Sequence, residues 1–245
     1  MPRIQLPAVT PKRRAWIKGR FIGQKRPLLP KQVWAIRARL ELAGNLRDLT
    51  LFNVAIDRRL GETGFTTMCE SDAPGDVVDF LHGYHDRLGK AVFENEGTLD
   101  KYLGDGLMGT FGTPEPSEND ASNALQCAFD MLEVLSIWNR DRNAEGLPPV
   151  RIEIGIHFGP VISGDIGNRR RLEYSVIGDT VNVASRLEQL SRNLKSSLLV
   201  SDLLIEAISP TDKAGQSLVK RLVSAGVQDL RGRRGKIGVW IYPLK

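Results

Sequence analysis

Two polar residues, Asn182 and Arg186, lie four positions apart in a segment whose pattern predicts a helix. Residues at i and i+4 share one face of a helix, so the amide of Asn182 and the guanidinium of Arg186 would project together. A neutral hydrogen-bonding group beside a permanent cation suits a reacting phosphate, because both can donate to oxygens that gain negative charge. The pair therefore indicates phosphate chemistry.

Two apolar strands must position this helix. Apolar residues alternate from Ile152 to Phe158, which is the pattern of a strand with one buried face. Glycine-rich turns and a second apolar run, Tyr174 to Ile177, follow. Gly178 then opens the predicted helix, so the polar pair would lie just beyond the end of the second strand.

The stretch from Arg151 to Glu188 resembles the C-terminal half of the class III nucleotidyl cyclase domain, with almost no gaps. In that family the helix carries the Asn and Arg that stabilise the transition state. The resemblance therefore implies that Asn182 and Arg186 are the catalytic residues of this chain. It extends over residues 64–242, about three quarters of the sequence.

A second motif is the hairpin TLDKYLGDGLMGTFG, residues 98–112, which turns at Gly104-Asp105-Gly106. Glycines on both sides of Asp105 would let an ion and a phosphate approach closely, although an ordinary turn aspartate is the alternative. The motif resembles the metal-binding hairpin of the cyclase family. This implies that Asp105 binds metal, and that carboxylates hold two Mg2+ or Mn2+ ions per site.

The other metal-binding aspartate of the family is missing from its usual place, where this chain has Gly61. Glu62 lies one residue too late and Asp57 four residues too early. If Leu49–Ile56 replaces the first strand of the family, Asp57 becomes the second metal ligand. The alternative is that Asp57 only caps or solvates the junction.

Further family positions concern the nucleotide. Lys101 and Ser175 occupy the positions that read adenine, where the lysine donates to a ring nitrogen and the partner accepts from the exocyclic amine. A guanine reader would need an acceptor such as Glu in place of Lys101. Gly64, Phe65 and Thr66 resemble the loop whose backbone amides hold the nucleotide phosphates.

The charge distribution divides the chain. Residues 1–60 hold 14 Lys and Arg against 3 acidic residues, whereas residues 61–245 hold 20 against 26. We therefore expect a basic N-terminal segment, 1–60, and a cyclase domain, 61–245. The basic segment is either a solvated tail or a contact for nucleic acid without sequence preference.

Part of the basic segment resembles the start of a small phage-integrase-like protein, through KQVWAIRARLELAGNLRDLTLFNVAID. This fragment, residues 1–58, ends before any catalytic residue of that family. Within it, Lys31–Gly44 predicts a short helix, and Asn45–Asp57 predicts either a helix or a strand. A gene fusion that replaced the first cyclase strand would explain the junction.

Composition excludes several classes of protein. Two cysteines, Cys69 and Cys127, are too few for a disulfide framework, and both lie in patterns typical of buried positions. No signal peptide is visible and no apolar run approaches the ~20 residues that span a bilayer, so we expect a cytoplasmic protein without membrane contact. The three histidines, His82, His85 and His157, do not form a zinc ligand set.

The expected fold is α+β: a class III cyclase-like sandwich with helices packed around a mainly antiparallel sheet. The remaining predicted elements are the helices Val77–Val92 and Asp120–Trp138 and the strands Ser197–Ser201 and Ile237–Tyr242.

The resemblance implies an adenylate cyclase that converts ATP to 3′,5′-cyclic AMP and pyrophosphate for intracellular signalling. It also implies a homodimer with shared sites, in which one subunit supplies the metal carboxylates and the other supplies Lys101, Ser175, Asn182 and Arg186. The alternatives are a cyclase-homology domain inactivated by the fusion, a guanylate cyclase, or a nucleic-acid-binding remnant.

Overall fold

The computed structural model describes residues 47–57, 69–70, 72–168, 171–230 and 235–243, and of these it describes residues 47–57, 165–168 and 171–173 by their backbone alone. The helices are α1 (Pro74–Glu94), α2 (Asp120–Ala144), α3 (Asp179–Leu194), α4 (Asp202–Ala207) and α5 (Lys213–Val219). The strands are β1 (Arg47–Asp57), β2 (Thr98–Leu103), β3 (Gly106–Phe111), β4 (Arg151–Asn168), β5 (Arg171–Ile177), β6 (Leu198–Ser201), β7 (Val223–Asp229) and β8 (Lys236–Ile241).

The strands form one sheet in the order β2-β3-β1-β4-β6-β8-β7, and β5 pairs with the far end of β4. Every described pairing is antiparallel except that of β4 with β6. The α+β prediction with a mainly antiparallel sheet is therefore confirmed. The strand alternative for Asn45–Asp57 is also confirmed, because β1 lies between β3 and β4.

Helices cover both faces of this sheet. Ile152, Ile154 and Ile156 of β4 belong to the larger core with residues of α1, α2 and α4. On the opposite face, Val183 and Leu187 of α3 pack in a smaller core with residues of β6 and β8. Strand β6 is buried throughout, because its alternate side chains point into different cores.

Helices α1 and α2 extend past their predicted ends for identifiable reasons. Pro74 begins α1, where a missing backbone N–H costs nothing. The last turns of α2 are held by Arg142, whose Nε donates to the Pro148 carbonyl at 2.9 Å. The same guanidinium lies over the rings of Phe80 and Trp138, 5.4 and 5.1 Å from their centroids.

The burial prediction for Cys69 is wrong, whereas Cys127 lies in the larger core. Cys69 precedes α1 and is exposed, because its segment contributes no residue to the described cores. The predicted helix Lys31–Gly44 lies outside the described residues. Among the residues that are described, no helix combines the length and the apolar character needed to cross a membrane.

Candidate active site

Helix α3 lies unusually close to β4, and Gly155 makes this approach possible. A Cβ at Gly155 would overlap the backbone carbonyl oxygen of Ala184 and the backbone nitrogen of Glu188. The helix start is fixed as well, because the Thr180 hydroxyl donates to the carbonyl of Pro160 at 2.6 Å. The tertiary structure thus holds α3 at a set position across the sheet.

Asn182 and Arg186 lie on the side of α3 that faces away from the sheet. Their neighbours Val183, Ala184 and Leu187 are buried, whereas Asn182 is exposed and Arg186 is half-buried. Within the described part of the chain, neither polar side chain has a hydrogen-bonding partner. Both are therefore available to a ligand or to a second subunit.

Lys101 of β2 and Ser175 of β5 meet in space. The ammonium nitrogen of Lys101 donates to the Ser175 hydroxyl at 2.7 Å. The Ser175 hydroxyl in turn donates to Oδ2 of Asp100 at 3.2 Å, and Lys101 Nζ lies 3.3 Å from the same oxygen. A buried carboxylate, a hydroxyl and an ammonium group therefore form one compact cluster.

A β-bulge in β2 makes this cluster possible. Leu99 pairs with Gly109 and Lys101 pairs with Met108, so Asp100 is the extra residue of the bulged strand. Successive side chains of a regular strand point to opposite faces, but a bulge re-aims one of them. Asp100 and Lys101 can consequently approach the same serine.

Asp105 lies at the turn between β2 and β3, as the sequence predicts. Gly104 before it has a φ of 65°, and the space where its Cβ would stand is open. Partial burial raises the pKa of Asp105, while a backbone hydrogen bond and the charge of Arg192 act in the opposite direction. The turn therefore presents a half-buried carboxylate in open surroundings.

Acidic residues and one arginine gather near the C-terminal end of α3. Arg192 Nε donates to Oε2 of the buried Glu153 at 2.7 Å. The pKa of Glu188 is raised from 4.5 to about 7, mainly by burial and also by the charges of Glu153 and Asp105, while Arg192 acts in the opposite direction. This end of α3 thus lies within electrostatic reach of Asp105.

The backbone of β1 ends beside the same turn. Its antiparallel register with β3 runs from Thr50 opposite Phe111 to Val54 opposite Leu107. Continued by three residues, this register brings the end of β1, Asp57, to the level of the β2–β3 turn. On its other side Asp57 pairs with Arg151 at the start of β4.

The structure thus brings Lys101 and Ser175 into direct contact, while Asn182 and Arg186 point outward on α3. The described residues do not include the predicted phosphate-binding loop, Gly64, Phe65 and Thr66. They also do not include Gly61, which stands where the family has its other metal-binding aspartate. Among the residues with described side chains, no group of three or more His, Cys, Asp or Glu is arranged to hold a metal ion. His157 has a structural contact instead, because its Nδ1 lies 2.8 Å from the Ser201 hydroxyl.

Sequence reasoning missed Asp100 and the cluster around Glu188. Strand alternation places Asp100 on the face opposite Lys101, and only the bulge overturns that assignment. Glu188 lies two positions after Arg186 and resembles an ordinary surface residue of a polar helix. A small residue at Gly155, two positions after Glu153, was the one available signal that a helix packs closely here.

Residues 62–241 match the sequence model of the family described as adenylate and guanylate cyclase catalytic domain. The chain is 36% identical over 141 residues to "Adenylate cyclase 1" of Rhizobium meliloti (strain 1021), a match over 58% of this chain. It is 33% identical over 170 residues to an adenylate cyclase of Anabaena cylindrica, over 68% of this chain.

Among solved structures, the adenylyl cyclase CyaB from P. aeruginosa superposes with a TM-score of 0.66 at 25% identity. This superposition covers 82% of this chain and 96% of that one. The matches cover only 21% and 33% of the two curated relatives. The integrase resemblance of residues 1–58 finds no support in these comparisons.

Proposed function

The chain belongs to the family of adenylate and guanylate cyclase catalytic domains, and from this premise we propose that it converts ATP to 3′,5′-cyclic AMP and pyrophosphate. The hydrogen bond between Lys101 and Ser175 is the observation that favours ATP most directly. It joins a donor and a hydroxyl that occupy the base-reading positions of the family, although they come from separate hairpins. Guanylate cyclase activity is the alternative within the same family.

The carboxylate of Asp105 at the β2–β3 turn fits the divalent cations of this chemistry. Asp105 offers hard oxygen ligands, and the open space over Gly104 leaves room for an ion and a phosphate. We propose that Asp105 and Asp57 together hold two Mg2+ or Mn2+ ions. Bound there, such ions would neutralise phosphate charge and lower the pKa of the attacking hydroxyl.

The polar side chains of α3 have a separate task in this proposal. Asn182 and Arg186 donate hydrogen bonds to the phosphate oxygens as negative charge develops on them. The planar guanidinium of Arg186 can donate to two phosphate oxygens at once. Gly64, Phe65 and Thr66 bind the phosphates through their backbone amides.

A homodimer with shared sites completes the proposal. Four large apolar side chains on the strands around the base-binding pair are 47–58% exposed: Tyr102, Leu103, Ile162 and Ile177. A second copy would cover such surface, and it would bring its own Asp105 to the outward-facing pair on α3. Each site would then combine carboxylates of one subunit with Lys101, Ser175, Asn182 and Arg186 of the other.

Product analysis of the purified chain tests this function. We expect cyclic AMP and pyrophosphate from ATP in the presence of Mn2+, and less product from GTP. A protein that forms neither cyclic nucleotide would favour the alternative of a cyclase-homology domain without activity. Preferential formation of cyclic GMP would establish the guanylate cyclase alternative.

Several expectations about the rest of the chain stay proposals. They are the boundary near residue 60 between a basic segment and the cyclase domain, a cytoplasmic location and a role in intracellular signalling. Strand β1 lies before that boundary although it forms part of the sheet. Binding of nucleic acid by the basic residues 1–60 also stays a prediction.

A further inference from the structure

Three polar atoms converge where β2 meets β5. Oδ2 of Asp100 accepts from the Ser175 hydroxyl at 3.2 Å and lies 3.3 Å from Lys101 Nζ, while Lys101 Nζ donates to the same hydroxyl at 2.7 Å. The Asp100 side chain is 5% exposed and that of Lys101 is 28% exposed. The carboxylate therefore lies behind the two groups that would face a base.

The chemistry of these groups fixes the direction of each hydrogen bond. An ionised carboxylate can only accept, so the single hydroxyl proton of Ser175 is directed to Asp100. One lone pair of Ser175 already accepts from Lys101, which leaves one lone pair for a ligand. Toward the open side, Ser175 is consequently an acceptor and Lys101 is a donor.

We propose that Asp100 is a positioning residue that sets the base specificity of this site, because it holds the hydroxyl proton of Ser175 and the ammonium group of Lys101. The resulting donor and acceptor match adenine, whose ring nitrogen N1 accepts and whose exocyclic amine donates. Guanine presents an N–H and a carbonyl oxygen at the corresponding atoms, so both contacts would be mismatched. The inference rests on the proposed function, since it requires the base to lie against Lys101 and Ser175.

The bulge in β2 explains why this carboxylate can act on both neighbours. In a regular strand, Asp100 would point away from the face that carries Lys101. The extra residue places its carboxylate beneath the hydroxyl of Ser175 instead. Burial also keeps water from competing for the hydroxyl proton, which makes the orientation of Ser175 more definite.

Binding of 3′-deoxy-ATP and 3′-deoxy-GTP in Mn2+, measured by calorimetry on the full chain, tests this role. Both nucleotides lack the attacking hydroxyl, so affinity is measured without turnover. We expect the wild type to prefer 3′-deoxy-ATP, and Asp100→Leu to reduce that preference by about tenfold or more, because the Ser175 hydroxyl becomes free to donate. Asp100→Asn should retain most of the preference, since its amide oxygen can still accept from Ser175.

Matched variants separate this role from a loss of folding. Asp130→Leu removes another hydrogen-bonded carboxylate, which lies on α2 and accepts from Asn95 and Gln126, and should leave the preference unchanged. Ser175→Ala should reduce the preference as Asp100→Leu does, and the double variant should show no further loss. The inference requires a reduced preference in Ser175→Ala, so an unchanged preference in that variant would overturn the role of Asp100 even if Asp100→Leu does not fold.

The outcomes distinguish this inference from the proposed function. If the wild type prefers 3′-deoxy-ATP and a folded Asp100→Leu or Ser175→Ala variant keeps that preference, the role of Asp100 is overturned while the proposed function stands. If the wild type binds neither nucleotide or prefers 3′-deoxy-GTP, the proposed use of ATP fails, and the inference fails with it.

Discussion

The ammonium group of Lys101 donates a hydrogen bond to the hydroxyl of Ser175 at 2.7 Å, although 74 positions separate the two residues in the chain. Lys101 lies on the edge strand β2, and Ser175 lies on β5, which pairs with the outer part of β4. Their contact connects two hairpins at one point of the surface. It places a cationic donor beside a hydroxyl, a combination that suits a nucleotide base.

Replacing Lys101 by methionine should weaken recognition of ATP. A hydrogen bond from a charged donor contributes ~1.5–3 kcal/mol, so kcat/KM for ATP should fall by about tenfold or more. Steady-state kinetics of cyclic AMP formation measure this change. Lys90→Met is the control, because the side chain of Lys90 is 72% exposed on α1 and pairs with Glu94 at 3.5 Å. An equal fall in kcat/KM in both variants would show that Lys101 does not contact the base.

Replacing Asp105 by alanine should abolish cyclase activity, since the β2–β3 turn would lose its carboxylate and metal charge would be uncompensated. Product formation in Mn2+ and in Mg2+ measures the effect. Asp79→Ala on the exposed side of α1 should leave activity unchanged. Activity that survives Asp105→Ala would show that the turn does not bind the metal.

Asn182→Ala and Arg186→Ala should each lower kcat far more than they raise KM. The contacts of these side chains should strengthen as charge develops, and one such donor typically contributes ~3–4 kcal/mol. Steady-state kinetics with ATP separate the two constants. A rise in KM with unchanged kcat would mean that these residues only bind the substrate.

Mixing two inactive variants extends this test to the shared site. A heterodimer of Asp105→Ala with Arg186→Ala contains one site with all its wild-type groups, so mixing should restore part of the activity. The two variants need different affinity tags so that heterodimers can be isolated and counted. Heterodimers without activity would contradict a site that is built from two subunits.

Asp57→Asn should remove activity as completely as Asp105→Asn, whereas Glu62→Gln should have little effect. The backbone of β1 brings Asp57 to the level of the β2–β3 turn, and a few extra residues in the following loop cost only ~0.6 kcal/mol per doubling of its length. We also expect higher activity in Mn2+ than in Mg2+. Asp57 does not lie at the usual family position, and Mg2+ demands near-ideal octahedral geometry. Full activity of Asp57→Asn in Mg2+ would show that another group completes the site.

The free energy of unfolding should fall as pH rises, because the folded protein stabilises the protonated form of Glu188. Its pKa is raised from 4.5 to about 7 in the folded protein, so the unfolded chain releases this proton at lower pH than the folded chain does. The stabilising contribution is complete below about pH 4.5 and is lost as pH rises through about 7. Denaturant unfolding across this range should show that Glu188→Gln gains stability over the wild type as pH increases.

The exposed Glu133 of α2 provides the control for this measurement, since Glu133→Gln should differ from the wild type by a constant amount. A constant difference for Glu188→Gln as well would contradict the raised pKa. Glu153 and Asp105 add to the effect and Arg192 opposes it, so the transition should shift when those charges are changed.

Short-range patterns in the sequence were sufficient for the pieces that carry chemistry. The hairpin of β2 and β3 turns at Gly104-Asp105-Gly106 as predicted, and helix α3 begins directly after Gly178 as predicted. Asn182 and Arg186 share a face because helical periodicity is a local property. The strand nature of residues 47–57 was left open, since an apolar run of that length also fits a helix.

Contacts between distant segments could not be predicted in this way. The sequence shows that Asp100, Lys101 and Ser175 are present. Whether they meet depends on the bulge in β2 and on the pairing of β4 with β5. Likewise, the raised pKa of Glu188 arises because Gly155 lets α3 descend onto β4 and bury the carboxyl group near Glu153. The sequence thus determines which groups are present, and local spacing determines which of them share a face. Burial, proton affinity and hydrogen-bond direction depend on contacts between side chains that come together only when the helices pack on the sheet.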